Sequence, residues 1–565
     1  MKRRGFIKTL ATAVPLFSWD WLLASQINER SREWQADLVV AGGGLGGCAA
    51  ALAALRAGLR VILTENTDWI GGQATSQAVP PDEHPWIETF GGTRSYRQYR
   101  ESIRALYRDH YPLTAQARLN ERLNPGGGWV SRLCHEPRVS LSVLQQMLAP
   151  YLSNRQLRVL LEHRPVSAET SGDAVRALTV QDLRENRLVT LSAPYIIDAT
   201  ELGDVLALAK IEHVTGAESR QATDEPHAPE TANSQDQQAF TYCFAVDHIE
   251  GEDHTIEKPS EYDFWRAYQP QMQPPWQGPL FSWTMTDPIS LVARHFVFDP
   301  TLKSPGTNLW TYRRLIEMGQ FLPGSYRSDI SLVNWPQNDY FLGPLIGVSE
   351  AEASRHLQRA KQLSLSLLYW LQTEAPRPDG GTGWKGLRLR EDIVGSPDGL
   401  AKAPYIRESR RIQAEFIVRE QHISTESRIE ATGKPREEAT AEVFPDSIGV
   451  GHYRIDLHPS ASGRNYVDLS CLPFQIPLGA LLPKRVENLL PAAKNIGTTH
   501  ITNGAYRLHP VEWNIGESAG LLVAYCLRQK ESPRHVRHNT QHLATFQQAL
   551  RAQGVELEWP RLRPL

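Results

Sequence analysis

The chain has little sulfur chemistry to offer. Its five cysteines, at 48, 134, 243, 471 and 526 of 565 residues, form no CxxC pair and no cluster. A thiol–disulfide redox centre needs two neighbouring sulfurs, so that class is excluded. A thiolate-ligated iron–sulfur cluster and a CxxCH haem attachment are excluded on the same ground. No metal centre is expected, and Cys48 and Cys526 are assigned to buried helix faces. The body of the chain lacks an uncharged apolar run near the ~20 residues that span a bilayer. Charges nearly cancel at a net −3, and no basic tract interleaved with aromatics offers a footprint for nucleic acid. Heptads, repeats and low-complexity tracts are also missing. What remains is a globular chain too long for one core, so two domains are expected.

Against these absences stands one dense signal. Ala36-Asp37-Leu38-Val39-Val40-Ala41 reads as a buried strand and runs into Gly42-x-Gly44-x-x-Gly47, with Gly46 inside the loop. An alanine-rich helix over Cys48–Ala57 follows, then a second strand, Leu59–Leu63, and an acid, Glu65. Strand, glycine loop, helix, strand and acid in this order form a dinucleotide-binding unit. The first glycine permits the turn, the second lets backbone approach a diphosphate, and the third lets helix pack on strand. The helix N-terminus presents free N–H groups to the phosphates, and Glu65 is placed to accept the hydroxyls of the adenosine ribose.

The residues after Glu65 select the dinucleotide. Asn66-Thr67-Asp68-Trp69-Ile70-Gly71-Gly72-Gln73-Ala74-Thr75-Ser76 carries a glycine doublet that resembles the second signature of glycine-doublet flavoproteins related to glutathione reductase. Tyr195-Ile196-Ile197-Asp198-Ala199-Thr200-Glu201-Leu202-Gly203-Asp204 is similar to the "ATG" strand of that fold, with Glu201 where glycine often stands. Glu487–Gly497, Thr498-Thr499-His500 and Gly504–Pro510 resemble its C-terminal flavin segment. The resemblance is to the FAD-dependent oxidoreductases, secreted bacterial members included, and covers most of residues 36–530. It implies an α/β protein: a Rossmann-type FAD-binding domain (three-layer ββα) over 34–217 and 446–530, with an inserted α+β substrate/cap domain over 218–445. Residues 531–565 form a C-terminal extension, and 1–33 a signal region. The resemblance further implies cofactor contacts from Gly42, Gly44, Gly46, Gly47, Glu65, Gly71, Gly72, Gln73, Val166, Ala199, Asn495, Pro510 and Glu512. Lys494-Asn495 stands where many flavoproteins carry Gly-Asp.

Several segments are read directly. Residues 157–204 are expected as a β-meander returning to the sheet, Ser349–Gln372 as a long amphipathic helix, and 218–235 as a polar surface loop. Arg407, Arg410 and Arg411 are placed on a helix, paired with Glu408 and Glu415 or facing the site. The tryptophans at 265, 276, 283, 310 and 335 either fill an irregular core or stack on substrate rings. Catalytic candidates fall into two groups: His500, Arg507 and His509 before the last long helix, and His452, Arg454 and His458. His500 is the expected proton acceptor and Arg507 the substrate or flavin-charge anchor.

Function follows from the resemblance: oxidation of a small organic substrate by hydride transfer to flavin N5, with oxygen, a quinone or a redox partner as acceptor. Flavin-dependent reduction of an activated double bond and a binding protein with structural FAD are the alternatives. At the N-terminus, Lys2-Arg3-Arg4-Gly5-Phe6-Ile7-Lys8 matches the twin-arginine (Tat) export pattern, and Thr9–Phe17 supplies a modest apolar stretch. A periplasmic or secreted protein is expected, with membrane retention if the signal stays uncleaved, since Asp20 interrupts the run and no clean A-x-A site follows. A basic start on a cytosolic enzyme is the competing reading.

Overall fold

The computed structural model describes residues 32–303 and 307–560; the twin-arginine segment lies outside them. Five parallel strands form the central sheet: β1 (Leu38–Ala41), β2 (Val61–Glu65), β3 (Leu157–Leu161), β4 (Tyr195–Asp198) and β5 (Leu489–Pro491), in the order β5-β4-β1-β2-β3. Val39 pairs with Ile62 on one side and Ile196 on the other. β1 and β2 are buried throughout, as continuous apolar runs in a parallel sheet covered on both faces require. β2 begins later than the sequence suggested, because the Leu59 N–H closes the preceding helix by donating to the Ala54 carbonyl.

The helical layer is built on α1 (Leu45–Arg56) and the last long helix. Every residue of α1 from Leu45 to Leu55 is buried, so its alanine-rich composition fits a helix enclosed on all sides. The opposite layer is an antiparallel meander of His163–Ser171, Ala174–Asp182 and Arg187–Ser192, extended by Arg32–Gln35 running parallel to the third strand. This is the three-layer arrangement expected. The meander differs in membership: Leu157–Leu161 belongs to the parallel sheet, and His163–Ser171, unmarked by apolar alternation, takes its place. Val175, Leu178, Val180 and Leu191 pack from the meander onto Val39, Ile62 and Ile196.

Two further helices, α2 (Arg94–His110) and α3 (Pro137–Ser153), flank the sheet. A second sheet, Arg314–Ile316, Ile330–Val333, Phe244–His248 and Leu387–Leu389 in spatial order, stands apart from the parallel sheet, with α4 (Glu350–Thr373). Ser349 caps α4, its hydroxyl accepting the Glu352 N–H at 3.2 Å. Alternation along this sheet divides its faces. Ala245, Ile330 and Leu332 join the core of the cofactor half, whereas Phe244, Val246 and Val333 face an aromatic core. Trp265, Trp276, Trp283, Trp310 and Trp335 are all buried in that aromatic core, and Trp335 also borders a cavity.

Near the C-terminal end come α5 (His500–Tyr506) and α6 (His509–Gln529), followed by helices Pro533–His538 and Thr540–Gln553. α6 lies against α1 at two glycines: a methyl at Gly516 would sit 2.0 Å from the Gly46 carbonyl, and one at Gly520 2.3 Å from that of Ala50. No described helix is long and apolar enough to cross a membrane. All five cysteines are free and buried.

Candidate functional site

The C-terminal ends of β1, β2, β4 and β5 converge on the glycine loop, the edge where open α/β sheets bind ligands. Gly42 has φ +99°, and an added methyl would lie 2.2 Å from the Ala199 carbonyl; only glycine makes that turn. At Gly47 a methyl would meet the Gly42 carbonyl at 1.9 Å, and at Gly46 the Ala492 carbonyl at 1.7 Å. Gly44 is different. A methyl there would meet side chains first, the carboxylates of Glu201 at 3.1 Å and Glu512 at 3.3 Å, with the nearest backbone at 3.9 Å. Gly42, Gly46 and Gly47 therefore serve packing, and Gly44 opens onto a cavity.

That cavity, about 240 Å³, runs from Glu65, Asn66 and Thr67 past Gly42, Gly44, Gly72 and Ala199 to Ser76, Gln77 and Ile406. Leu345, Ala353 and Leu357 also wall it. Glu65 accepts hydrogen bonds from the N–H groups of Gly43 (3.0 Å) and Thr67 (2.9 Å). Burial pushes its carboxyl up to about 7 against those bonds, with Glu201 adding to the rise. Gly71 turns the chain at φ +109°. The Gln73 amide donates to the Glu512 carboxylate and, at 3.0 Å, to the Arg507 carbonyl.

Glu512 lies in the first turn of α6, accepts the Gly46 N–H at 3.1 Å, and is 3.6 Å from the Lys494 ammonium. Burial raises its carboxyl, opposed mainly by Lys494. Lys494 is itself buried and pairs with Glu201. Burial works against its charge, yet Glu201 and Glu512 hold its pKa above the ordinary lysine value. The residues present fit FAD: a glycine cradle with Gly44 open to the cavity, and the buried acid Glu65 at one end of it.

Other residues expected at the cofactor are placed elsewhere. Asn495 is spent on backbone: its amide donates to the Asp198 carbonyl at 2.9 Å and its oxygen accepts the Ala493 N–H at 3.1 Å. Val166 is half-buried at a register shift of the meander and does not border the cavity. Pro510 occupies the second position of α6, behind His509.

A second cavity, about 200 Å³, shares a wall with the first. Extended Tyr405-Ile406-Arg407 separates them, Ile406 bordering the first and its two neighbours the second, as strand alternation dictates. Asp82, Arg313, Asn334, Trp335, Asp456, His458, Tyr466 and Arg507 also border it, with Arg454 and Asp468 at its edge. Each arginine has an aspartate: Arg313–Asp82 at 3.0 Å, Arg407–Asp339 at 3.1 Å, Arg507–Asp456 at 3.1 Å, and Arg454–Asp468. His458 Nδ1 lies 2.6 Å from Asp339, and its Nε2 is 3.6 Å from Asp456. Burial alone would raise Asp339; the Arg407 guanidinium and His458 hold it below the usual carboxylate range. Asp456 is held low in the same way by His458 and Arg507, whereas burial and repulsion from Asp456 push Asp468 up to about 6.

Of the sequence candidates, Arg407, Arg454, His458 and Arg507 border this cavity, and His452, His500 and His509 do not. His500 is locked between Glu408 (Nδ1, 3.1 Å) and Arg464, which donates to Nε2 at 2.9 Å. His509 accepts the Asp82 N–H at 3.2 Å through Nδ1, and its Nε2 lies 3.1 Å from the Val79 carbonyl. Burial lowers it to about 4, so it is a neutral strut that positions Asp82. His452 sits 5.2 Å from the ring of Trp86, bonded to the Cys471 carbonyl at 3.1 Å, and burial lowers it to about 4.

The expected arginine helix is corrected too. Residues 404–410 are irregular and Arg411–Ile412 is a short strand, because these side chains reach separate partners: Arg410 to Asp204, and Arg411 to Glu408 and Glu218. Glu415 pairs instead with Arg534 and Arg537. The 218–235 segment is more than a surface loop, for Glu225 is buried and accepts from Thr499 at 2.7 Å. Asp82, Arg313, Asn334 and Tyr405 carried no sequence signal, since nothing local links residues brought together from such distant segments.

Fold and site together define a dinucleotide-binding α/β flavoprotein. The chain belongs to the FAD dependent oxidoreductase family, whose profile matches residues 37–550; its cofactor is FAD and it is an oxidoreductase. No curated protein matches it at a significant level. Among solved structures, it is similar to the anhydrotetracycline hydroxylase OxyS from Streptomyces rimosus at 10% identity, covering 92% of this chain and 66% of that one, TM-score 0.31. It is similar also to a geranylgeranyl bacteriochlorophyll reductase-like protein from Thermoplasma acidophilum at 10% identity, covering 93% and 85%, TM-score 0.30. A third is L-proline dehydrogenase from P. horikoshii, at 15% identity, covering 34% and 25%, TM-score 0.17. The chain thus spans about a quarter of the length of the last and just under two thirds of OxyS.

Proposed function

We propose that the protein oxidises a small organic substrate in the second cavity, with His458 as proton acceptor. The observation that carries this is the position of an aspartate-backed histidine in a polar chamber one peptide segment from the cofactor cavity. FAD, held by the Gly42–Gly47 loop and Glu65, would supply a two-electron acceptor for a substrate hydride, with oxygen, a quinone or a redox protein as the final acceptor. The substrate loses that hydride from carbon and a proton from its hydroxyl or amine. Asp339 orients the ring through Nδ1, Nε2 beside Asp456 receives the proton, and the negative charges of Asp339 and Asp456 stabilise the imidazolium that results. Arg507, fixed by Asp456 and by the Tyr405 hydroxyl at 3.2 Å, anchors and orients the substrate. His500, already bonded at both nitrogens, serves to position Glu408 and Arg464.

His458→Ala is expected to retain FAD and to slow substrate-driven bleaching of the flavin band by ~10²–10⁴-fold, the usual worth of a positioned base. Stopped-flow reduction beside His500→Ala decides the assignment: normal reduction in the His458 variant would move the base back to His500. We propose Tat export as well, resting on Arg3-Arg4 and the apolar stretch behind them. Replacing both arginines with lysine should strand the precursor in the cytoplasm, and unchanged periplasmic recovery would remove this assignment.

A further inference from the structure

We infer that Glu531, His535 and His542 form a binding site for a divalent transition metal, with zinc the ion their chemistry suits. The site stands apart from the flavin and does not depend on the reaction proposed above. Glu512, beside Gly44, lies in the first turn of α6, and Glu531 follows the other end of that helix, about 30 Å along it. Among the described residues, these three side chains are the group whose histidine and carboxylate ligand atoms gather within 4.8 Å of one another. Glu531 Oε2 lies 3.7 Å from His535 Nε2, and Oε1 lies 3.9 Å from His542 Nε2. Both separations are too long for hydrogen bonds. They come close to the ~3.4 Å between neighbouring ligands around a tetrahedral Zn²⁺ with bonds of ~2.0–2.2 Å. Two imidazoles and a carboxylate suit zinc, whereas magnesium and calcium take oxygen ligands.

The local structure fixes all three groups. The Glu531 N–H donates to the Cys526 carbonyl at 3.1 Å. His535 and His542 each hold the third position of a helix, with the backbone pinned by a capping side chain. The Ser532 hydroxyl accepts the His535 N–H at 3.1 Å, and the Asn539 side-chain oxygen accepts the His542 N–H at 3.1 Å. Val536, Phe546 and Leu550 seat the same two helices on the core. From α6, the Tyr525 hydroxyl lies 3.1 Å from His542 Nδ1 and donates to the His542 carbonyl at 3.3 Å. A hydroxyl has one proton. With that proton on the carbonyl, Nδ1–H becomes the ring's donor and Nε2 is left bare, the tautomer that ligates a metal. His538, from the same short run, is drawn away to Glu415 at 2.9 Å. The three side chains are all partly exposed, so water completes the tetrahedron.

The test is calorimetric titration of the tag-free, chelator-treated, FAD-loaded protein with ZnCl₂, beside CoCl₂ for its visible d–d absorption and MgCl₂ as the oxygen-seeking control. One equivalent of Zn²⁺ per chain is expected, with a Kd on the order of micromolar or tighter, and excess Mg²⁺ should not displace it. Co²⁺ should give the intense spectrum of a four-coordinate ion. Glu531→Gln, His535→Gln and His542→Gln should each weaken Zn²⁺ binding by ~10-fold or more, with FAD content unchanged. Tyr525→Phe removes only the group that orients His542. It should cost ~10-fold and alter the Co²⁺ spectrum, since the outer partner of a ligand is worth that much. His538→Gln should bind as the wild type does. Zn²⁺ should also raise the melting temperature of the wild type and leave that of His535→Gln unmoved. Absence of a bound equivalent overturns the inference. So does equal binding by the wild type and a Glu531→Gln, His535→Gln double variant, which would make the cluster a set of surface ion pairs.

Discussion

Glu65 shows how one buried carboxyl couples cofactor binding to pH. Its pKa is pushed up to about 7 by burial, while the form expected to accept the ribose hydroxyls of FAD is ionised. Below about pH 7, FAD binding must first release a proton, and each pH unit costs up to ~1.4 kcal/mol, or about tenfold in affinity. FAD affinity is therefore expected to strengthen as pH rises from about 6 to about 8, with a shallower slope and weaker binding in Glu65→Gln. Equilibrium dialysis across that range checks it, and identical slopes would sink the idea. Gly44→Ala belongs to the same scale. Its methyl enters cofactor space between Glu201 and Glu512, so the variant should fold but fail to retain FAD, and normal FAD content would contradict this.

At the scale of elements, the crossing of α1 and α6 joins cofactor loop to core. Gly46 and Ala50 of α1 meet Gly516 and Gly520 of α6 with carbonyls where a Cβ would otherwise stand. Gly520→Ala gains ~1 kcal/mol of helix propensity but places a methyl 2.3 Å from the Ala50 carbonyl. Separating the helices costs ~1–3 kcal/mol or more, as overpacking does, and shifts the loop that begins at Gly44. A lower melting temperature and weaker FAD retention are expected together. Gly319→Ala, where nothing lies within 4 Å, is the control; if the two variants melt alike, the crossing is not tight.

Across the whole molecule, two sets of buried groups oppose each other. His84, His135, His452 and His509 are each lowered to about 4 by burial. They favour the folded state above the ordinary histidine value, a contribution lost as pH falls from about 6.5 toward about 4. Glu65, Asp198 and Glu225 are raised to about 7, and Asp468 to about 6, chiefly by burial. Their contribution is present below the ordinary carboxyl value near 4 and lost as pH rises through their folded pKa. Within this window one set releases on unfolding about the protons the other takes up. Global stability should accordingly be nearly flat between about pH 4.5 and about pH 6.5, and His135→Asn should tilt it toward lower stability as pH rises. Chemical denaturation at several pH values tests both; a steep rise in wild-type stability with pH would show that the carboxyls are not protonated in the fold.

The sequence by itself determined the cofactor and the layer that holds it. Gly42, Gly44 and Gly47, Glu65 and the Gly71-Gly72 doublet act through local turns and fixed spacings, and a contiguous segment encodes those directly. Long apolar runs such as β1 and the capped α4 were legible for the same reason. The strand His163–Ser171 was not, because beyond Pro165 its residues are partly or fully exposed and mostly polar, so no apolar alternation marks it. Only tertiary structure decided the second cavity. Asp82, Arg313, Arg407, His458 and Arg507 come from segments separated by about 50 residues or more, and each pairs with a partner no spacing predicts. The neighbouring histidines 500 and 509 looked alike in sequence. They were separated from His458 by what surrounds them: two bonded nitrogens and a packed interior on one side, an open polar chamber on the other.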